Sequence, residues 1–321
     1  MKTDCEALVT AALPDGYPSG YAVARLTGDA STRSYFRIRT PKDETLILML
    51  MPEPFNINRF PYLDRYHLMR NLGIDLAEVY RVEPERGYVF LQDLGDATYY
   101  ELYESWNEQQ RLHHYLEAIN AMLKIEKGHP ADNLSFDTEK FLWELHYFKK
   151  HFLFGLRNIT LSAEEDAGLE EQFVKLATEL SERPRVFCHR DYHSRNLMIH
   201  NDRMFVIDFQ DSRFGPATYD LASLLYDSYI QLPERTIRHL EDYFFLHHPD
   251  AKIQRFEYPR MCLQRNLKAL GTFGYQAIQM GREFYVQFVR PTLGYVRKHL
   301  ESVPEYRELG RILKTHLPEL Q

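Results

Sequence analysis

The residues most able to do chemistry lie between positions 189 and 209. The stretch His189–Asn196 reads His-Arg-Asp-x-x-x-x-Asn, and an apolar-Asp-Phe triplet at 207–209 follows it. A carboxylate on a loop can accept a hydroxyl proton. An amide oxygen and a second carboxylate can hold Mg²⁺, which keeps water as its other ligands. This order and spacing suit phosphoryl transfer, with Asp191 as proton acceptor and Asn196 and Asp208 as metal ligands.

A short β-rich segment must position these side chains. We predict three strands in it: Arg185–Cys188, Leu197–His200 and Met204–Asp208. The polar turn at 201–203 makes the last two a hairpin, which returns Asp208 towards Asn196. His189 follows directly on the first strand, and we expect it to brace the loop through hydrogen bonds rather than to act as a base.

The predicted secondary structure changes from mainly strands to mainly helices near residue 93. Before it, the pattern predicts strands at 21–27, 34–40, 45–51, 78–82 and 88–92, with one helix at 58–72. After it, helices are predicted at 98–105, 108–127, 137–155 and 162–182, and again from about 216 onwards. We therefore expect an α+β protein with two lobes, a small antiparallel β lobe at 1–93 and a mainly helical lobe at 94–321. The cleft between them would hold the site.

Composition excludes several classes of protein. The 321 residues are 44% hydrophobic and 26% charged, which is typical of a globular chain. With 39 basic and 46 acidic residues the net charge is −7, so nucleic acid is not an expected partner. No long apolar run and no apolar leader are present, so we expect a cytoplasmic protein without a membrane partner. Three scattered cysteines fit a reducing compartment, and no protein partner is implied.

Further motifs lead to a resemblance over nearly the whole chain. They are Gly28–Arg37, Gln92–Gly95, His189–Asn196, Gly215–Ala222 and Gln264–Gly271. With these motifs the sequence resembles the aminoglycoside-phosphotransferase and choline-kinase-like superfamily, small-molecule relatives of the protein kinases. Within it, the sequence is most similar to bacterial anomeric kinases of N-acetylmuramate and N-acetylglucosamine. The resemblance implies a protein-kinase-like two-lobe fold. Asp220, in the fourth motif, is expected to cap the next helix.

The resemblance also implies where ATP phosphates bind. The loop at 28–33 would lie over them, with backbone N–H groups and the hydroxyls of Ser31 and Thr32 as donors. The third strand of such kinases carries a phosphate-binding lysine, but Thr45–Met51 contains no cation. Arg37 on the neighbouring strand is our candidate substitute, and Arg33 is the second. A degenerate, inactive kinase is the alternative, although the complete catalytic and metal set argues against it.

The same resemblance assigns the nucleotide base and the acceptor. Backbone groups of Gln92, Asp93 and Leu94 would read adenine at the hinge between the lobes. The motif at 264–271 lies on a long C-terminal helix expected to wall the acceptor side of the cleft. There Gln264 and Arg265 are the candidate acceptor ligands.

Arg213, just beyond the metal-binding aspartate, is a further candidate ligand at the rim of the acceptor pocket. Fewer than ten residues separate Asp208 from the helix expected near Ala217. That is too short for the activation loop with which protein kinases bind peptides, so a small-molecule acceptor is expected.

We therefore expect an ATP- and Mg²⁺-dependent small-molecule kinase. The resemblance favours the anomeric hydroxyl of an N-acetylated amino sugar as acceptor, in the recycling of cell-wall sugars. The alternatives are an aminoglycoside, choline or homoserine-type kinase, and a nucleotide-binding pseudokinase.

Overall fold

The computed structural model describes residues 22–26, 33–248 and 251–321, without the side chains of 251–254. Five strands come first: β1 (Ala22–Leu26), β2 (Ser34–Arg39), β3 (Thr45–Leu50), β4 (Val79–Glu83) and β5 (Tyr88–Gln92). They form one antiparallel sheet in the order β1-β2-β3-β5-β4. The predicted strands are confirmed within the described residues. Tyr21 and the loop at 27–32 lie outside the described residues.

Side chains alternate between the two faces of this sheet, as the two-residue period of a strand requires. One face carries a small core of its own, formed by Phe36, Ile38, Leu48 and Phe90. The other face contributes Ile47, Met49, Val89 and Leu91 to the main core of the molecule. On that second face Tyr35 and Arg37 of β2 line the cleft between the sheet and the helices.

A single helix, α1 (Pro61–Asn71), interrupts the sheet in sequence. Proline is favoured in the first turn because its missing N–H has no partner there. The chain leaves the helix through Gly73, whose φ of 73° is in the left-handed region. The predicted helix at 58–72 was too long at its start, because a separate 3₁₀ turn, Ile57–Arg59, precedes Phe60 and Pro61.

Helices dominate the rest of the chain. They are α2 (Tyr99–Leu102), α3 (Glu108–Ile125), α4 (Thr138–Phe148), α5 (Ala163–Ser181), α6 (Thr218–Leu225), α7 (Glu234–His247), α8 (Ala251–Ile278), α9 (Val289–Ser302) and α10 (Arg307–His316). The capping box predicted for α5 is present, with Ser162 and Glu165 exchanging hydrogen bonds. Mixed α+β architecture with a β lobe and a helical lobe is confirmed.

The segment after α4 departs from the prediction of one α-helix at 137–155. Lys149–Leu156 forms a π-helix directly after Phe148. It packs on Gly274 of α8, where an added Cβ would clash with the carbonyl oxygen of His151. Glycine is required for this close approach, and widened π turns of this kind are frequent at functional sites.

Two small antiparallel ladders position residues 189–209, which contain Asp191, Asn196 and Asp208 and which we call the catalytic segment. Their strands are β6 (Arg185–Cys188), β7 (Leu197–His200), β8 (Arg203–Val206) and β9 (Arg213–Pro216), with β7 paired to β8 and β6 to β9. The predicted third strand was too long, because β8 ends at Val206 and leaves Asp208 outside the ladder. Strand β9 was not predicted, since Gly215 and Pro216 are typical strand breakers.

The main core joins the two lobes. Leu91 of the sheet and Phe209 of the catalytic segment belong to one buried cluster with the helices. The proposed division at residue 93 therefore marks a change of architecture rather than a break in the core. Among the described helices, none is long and apolar enough to cross a bilayer.

Candidate active site

A cleft of ≈ 1330 Å³ lies between the sheet and the helical lobe. It brings together the three side chains to which the sequence assigned the chemistry: Asp191, Asn196 and Asp208. Hinge residues 92–95 line the same cleft. Residues that are far apart in sequence therefore converge on one cavity, which is large enough for a nucleotide and a second small molecule.

Asp220 fixes the start of the catalytic loop. Its Oδ2 accepts a hydrogen bond of 2.6 Å from the His189 N–H, and its Oδ1 one of 2.9 Å from the Arg190 N–H. These bonds hold Arg190 at a φ of 85°, a left-handed conformation that is unfavourable for arginine. Burial raises the pKa of Asp220 to about 6. The predicted helix cap is wrong, because Asp220 lies inside α6 and caps the loop instead.

Three further bonds anchor the rest of this loop. His189 Nε2 lies 2.9 Å from the carbonyl oxygen of Ile207, which ties the loop to the metal-binding segment and confirms the predicted bracing role. The Tyr192 hydroxyl donates to the Ala118 carbonyl over 2.8 Å. Asp227 accepts from the Ser194 N–H over 2.9 Å. The loop is therefore held from several helices, so its geometry is preorganised.

The predicted metal ligands adjoin one another. Asn196 Nδ2 donates to the Asp191 carbonyl over 2.8 Å, which leaves the amide oxygen for a cation. The Ile207 N–H donates to the Asn196 carbonyl over 3.0 Å and so places Asp208 beside it. Asp208 adopts a φ of 61°. A carboxylate and an amide oxygen are hard donors, so the residues present fit a divalent ion such as Mg²⁺.

Three cations surround the Asp191 carboxylate. Lys268 Nζ lies 2.7 Å from Oδ1, Arg265 Nη2 lies 3.8 Å from Oδ1, and Arg190 Nε lies 3.9 Å from Oδ2. Burial acts to raise the pKa of Asp191, but Lys268, Arg190 and Arg265 outweigh it and hold that pKa well below its usual range. Asp191 is therefore ionised and able to accept a proton, whereas burial lowers the pKa of His193 to about 3.

Lys268 was not among the candidate site residues predicted from the sequence. It lies in the C-terminal motif on α8, four residues after Gln264, and lines the cleft. The spacing indicated a shared helix face but carried no signal for the partner, Asp191. Its charge-assisted hydrogen bond with Asp191 makes Lys268 a further candidate site residue.

The three predicted acceptor ligands have different environments. Arg265 lines the cleft, and its Nε donates to Ser223 Oγ over 2.6 Å. Gln264 is fully buried and donates to Glu144 over 2.8 Å, so the predicted direct contact with the acceptor is wrong. Arg213 packs on the ring of Phe136, 5.3 Å from its centroid, and does not line the cleft. Of these three predicted ligands, Arg265 alone lines the cleft.

Arg37 braces the hinge. Its guanidinium donates hydrogen bonds of 3.0 Å to the carboxylates of Asp93 and Asp96, and one of 3.1 Å to the Gly95 carbonyl. These bonds join β2 to the segment that follows β5. The predicted role of Arg37 as the phosphate-binding cation is therefore not supported, because its guanidinium N–H groups are already bonded to the hinge carboxylates.

Arg33, the second candidate, directly precedes β2. Its Nη1 lies 3.5 Å from the Tyr35 hydroxyl, and both residues line the cleft. Burial raises the pKa of Tyr35, Arg33 lowers it, and the charge of Asp208 raises it, so Arg33 and Asp208 both lie near this hydroxyl. Arg33 therefore remains the candidate for the phosphate-binding cation. Ser31 and Thr32 lie outside the described residues.

The hinge adjoins an apolar slot. Leu26 and Ile47 line it from the sheet, and Met198 and Ile207 line it from the catalytic segment. Within the described residues, the Gln92 N–H already donates to the Glu78 carbonyl.

The Leu94 carbonyl accepts from His200 Nδ1. The Gln92 N–H and the Leu94 carbonyl are therefore already engaged within the protein, and the reading of a base by the hinge stays a prediction.

Comparison with known proteins agrees with this geometry. A relative from Pseudomonas aeruginosa, named N-acetylmuramate/N-acetylglucosamine kinase, is 29% identical over 91% of this chain and 88% of its own. A relative of the same name from Neisseria meningitidis serogroup B is 29% identical over 89% of this chain and 87% of its own. A choline/ethanolamine kinase family protein from Mesorhizobium loti shares the fold, with a TM-score of 0.62 and 20% identity over 100% of this chain and 99% of that one. An ADP-bound aminoglycoside phosphotransferase has a TM-score of 0.58 and 15% identity, over 92% and 98%. Residues 22–261 match the model of the phosphotransferase enzyme family, and the chain belongs to that family of small-molecule kinases.

Proposed function

We propose that this chain transfers the γ-phosphoryl group of ATP to the anomeric hydroxyl of an N-acetylated amino sugar, N-acetylmuramate or N-acetylglucosamine. The observation that carries the proposal is the match to kinases of these two sugars, which covers 91% of the chain and so includes both lobes. The ionised base beside the metal-ligand pair supports it from the geometry.

Asp191 is the proposed general base. The acceptor C1 hydroxyl gives its proton to the carboxylate as the new O–P bond forms. The bond between the γ-phosphorus and the bridging oxygen breaks, and ADP leaves. An anomeric hydroxyl is more acidic than an ordinary alcohol, so a carboxylate of low pKa is an adequate base for it.

The remaining side chains position and neutralise charge. Asn196 and Asp208 are the proposed ligands of Mg²⁺, which neutralises phosphate charge when bound. Lys268 and Arg265 orient the Asp191 carboxylate from the acceptor side of the cleft. Arg33 is the proposed cation on the phosphate side. Positioning and electrostatic stabilisation of this kind supply most of the catalysis in phosphoryl transfer.

The charges around the base disfavour a cationic acceptor. Choline and aminoglycosides are positively charged, and Arg190, Arg265 and Lys268 all lie within 4 Å of Asp191. The complete set of base and metal ligands disfavours a pseudokinase. A neutral or anionic sugar is therefore the better match to this half of the cleft.

The product identifies the reaction. Purified protein is incubated with ATP, Mg²⁺ and each sugar, and the product is examined by ³¹P and ¹H NMR. We expect an acid-labile sugar 1-phosphate that no longer reduces copper. The Asp191→Asn variant is expected to form it with a kcat lower by about 10²–10⁴-fold and with little change in ATP affinity. A sugar 6-phosphate, or transfer to choline or aminoglycosides alone, would overturn the proposal.

A further inference from the structure

Two side chains of α4 line the cleft, and a lysine on the same face of the helix lies next to them. Lys140, Trp143 and Tyr147 lie at i, i+3 and i+7, so they share a helix face. Trp143 and Tyr147 line the cleft, and Trp143 is 51% exposed. Lys140 Nζ lies 3.9 Å from the centroid of the Trp143 ring. The indole therefore holds the ammonium beside the cleft by a cation–π contact, without neutralising its charge.

Lys140 has no carboxylate partner within 4.0 Å among the residues that the structure describes. Burial, together with the positive charges of Arg190, Arg213 and Lys268, outweighs the opposing effect of Glu144 and lowers the pKa of Lys140 to about 8. An ammonium that is half-buried without a counter-ion gains most from an anionic ligand, because that ligand would stabilise its charged form.

The position of Lys140 relative to the base follows from its own helix. Glu144 lies one turn further along α4, and its Oε1 is 3.8 Å from Arg190 Nη2. Arg190 precedes the base Asp191 in the catalytic loop. Lys140 precedes Glu144 by one helical turn, about 5.4 Å along the axis, and within the described residues it forms no ion pair with Asp191. That separation suits a substituent on the sugar ring rather than the reacting hydroxyl.

Positive charge exceeds negative charge in the surroundings of Lys140. The cations whose charges act on it are Arg190, Arg213 and Lys268, and the carboxylate whose charge acts on it is Glu144. A neutral sugar would leave this excess uncompensated. A sugar bearing a carboxylate would compensate part of it.

We propose that Lys140, held over Trp143, binds a carboxylate substituent of the acceptor and makes the site prefer an anionic N-acetyl sugar over its neutral counterpart. This inference rests on the proposed function, because it names the acceptor that the same site selects. N-acetylmuramate carries such a carboxylate on its lactyl group, and N-acetylglucosamine lacks it.

The test compares kcat/KM for the two sugars at constant ATP and Mg²⁺. In Lys140→Met the ratio of N-acetylmuramate to N-acetylglucosamine is expected to fall about tenfold, with N-acetylglucosamine turnover unchanged. Lys140→Arg keeps the charge and is expected to keep most of the ratio. The matched control is Lys149→Met, which removes a lysine that also lies over an aromatic ring but pairs with Asp166. Its ring, Phe154, does not line the cleft, whereas Trp143 does.

Three results would overturn the inference: a wild-type ratio at or below one, an unchanged ratio in Lys140→Met, or the same loss in Lys149→Met. Calorimetric titration of each sugar into the protein separates this inference from the proposed function. If neither sugar is phosphorylated, the proposed function fails. The inference is then supported only if Lys140→Met weakens binding of N-acetylmuramate and leaves binding of N-acetylglucosamine unchanged. Equal binding of N-acetylmuramate by both proteins, or no binding by either, would reject it.

Discussion

Lys268 Nζ lies 2.7 Å from Asp191 Oδ1, although the two residues are 77 positions apart in the chain. Lys268 belongs to α8 and Asp191 to the loop after β6, so the contact exists only because α8 packs under the catalytic loop. The pair has two consequences for a proton acceptor. It fixes the direction of the carboxylate, and it keeps the carboxylate ionised.

Removal of Lys268 is expected to impair the base and to shift its pH dependence. Lys268 lowers the pKa of Asp191, so Lys268→Met raises that pKa, and a protonated carboxylate cannot accept a proton. The acid limb of kcat/KM therefore moves to higher pH, and kcat at neutral pH falls by about 10²-fold. Lys268→Arg should restore part of both. Lys149→Met, which breaks a pair with Asp166 away from the cleft, is the control. An acid limb that stays in place would show that Lys268 has only a structural role.

The metal assignment is tested at two aspartates of similar backbone conformation. Asp208 and Asp202 have φ values of 61° and 57°, and asparagine tolerates this region as well as aspartate does. Asp208→Asn removes the charge of a proposed ligand, so Mg²⁺-dependent binding of ATP, measured by calorimetry, is expected to be largely lost. Asp202→Asn, in the exposed hairpin turn, should bind normally. Normal Mg²⁺-dependent binding in Asp208→Asn would remove it from the ligand set.

Much of the fold followed from local signals. Strand alternation placed the sheet, and the Ser162/Glu165 capping box placed the start of α5. The base and metal ligands were predictable because they are contiguous or one hairpin apart. The individual contacts within the cleft are a different matter, since they depend on which helix or strand packs beside the motif.

Three residues illustrate that limit. Lys268 and Gln264 share a face of α8, yet one reaches Asp191 and the other is buried against Glu144. The helical period predicts that two residues share a face, but it does not predict which neighbouring element each side chain contacts. Arg37 was expected to reach phosphate because of its strand. The register of β2 against β3 instead places it opposite Ile47, within reach of the hinge carboxylates.

Asp220 is expected to matter for stability as well as for turnover. Its two oxygens accept the His189 and Arg190 N–H groups, and it is 2% exposed. In Asp220→Asn the amide NH₂ faces one of these donors, so one bond is lost. The free energy of unfolding, measured in urea, should fall by about 2 kcal/mol. Asp242→Asn disrupts an exposed pair with Arg255 and should change stability little. Equal stability of the two variants would contradict the bracing role.

Arg33 and Arg37 are expected to have different roles in nucleotide binding. Arg33 lies near the Tyr35 hydroxyl on which Asp208 also acts, whereas Arg37 is bonded to the hinge. A phosphate-binding cation affects ligands that carry phosphates, and a hinge brace affects every ligand that carries adenine. Arg33→Ala is therefore expected to weaken ATP binding by about tenfold or more and to leave adenosine binding unchanged.

Arg37→Ala should instead weaken ATP and adenosine by the same factor and lower the melting temperature. Arg33→Lys should rescue only part of the ATP affinity, because a point charge replaces a planar fork. Calorimetry with both ligands at the same Mg²⁺ concentration measures all three variants. If Arg37→Ala loses ATP binding selectively while Arg33→Ala binds ATP normally, the phosphate-binding role returns to Arg37. The sequence-based assignment would then be correct despite the hinge contacts.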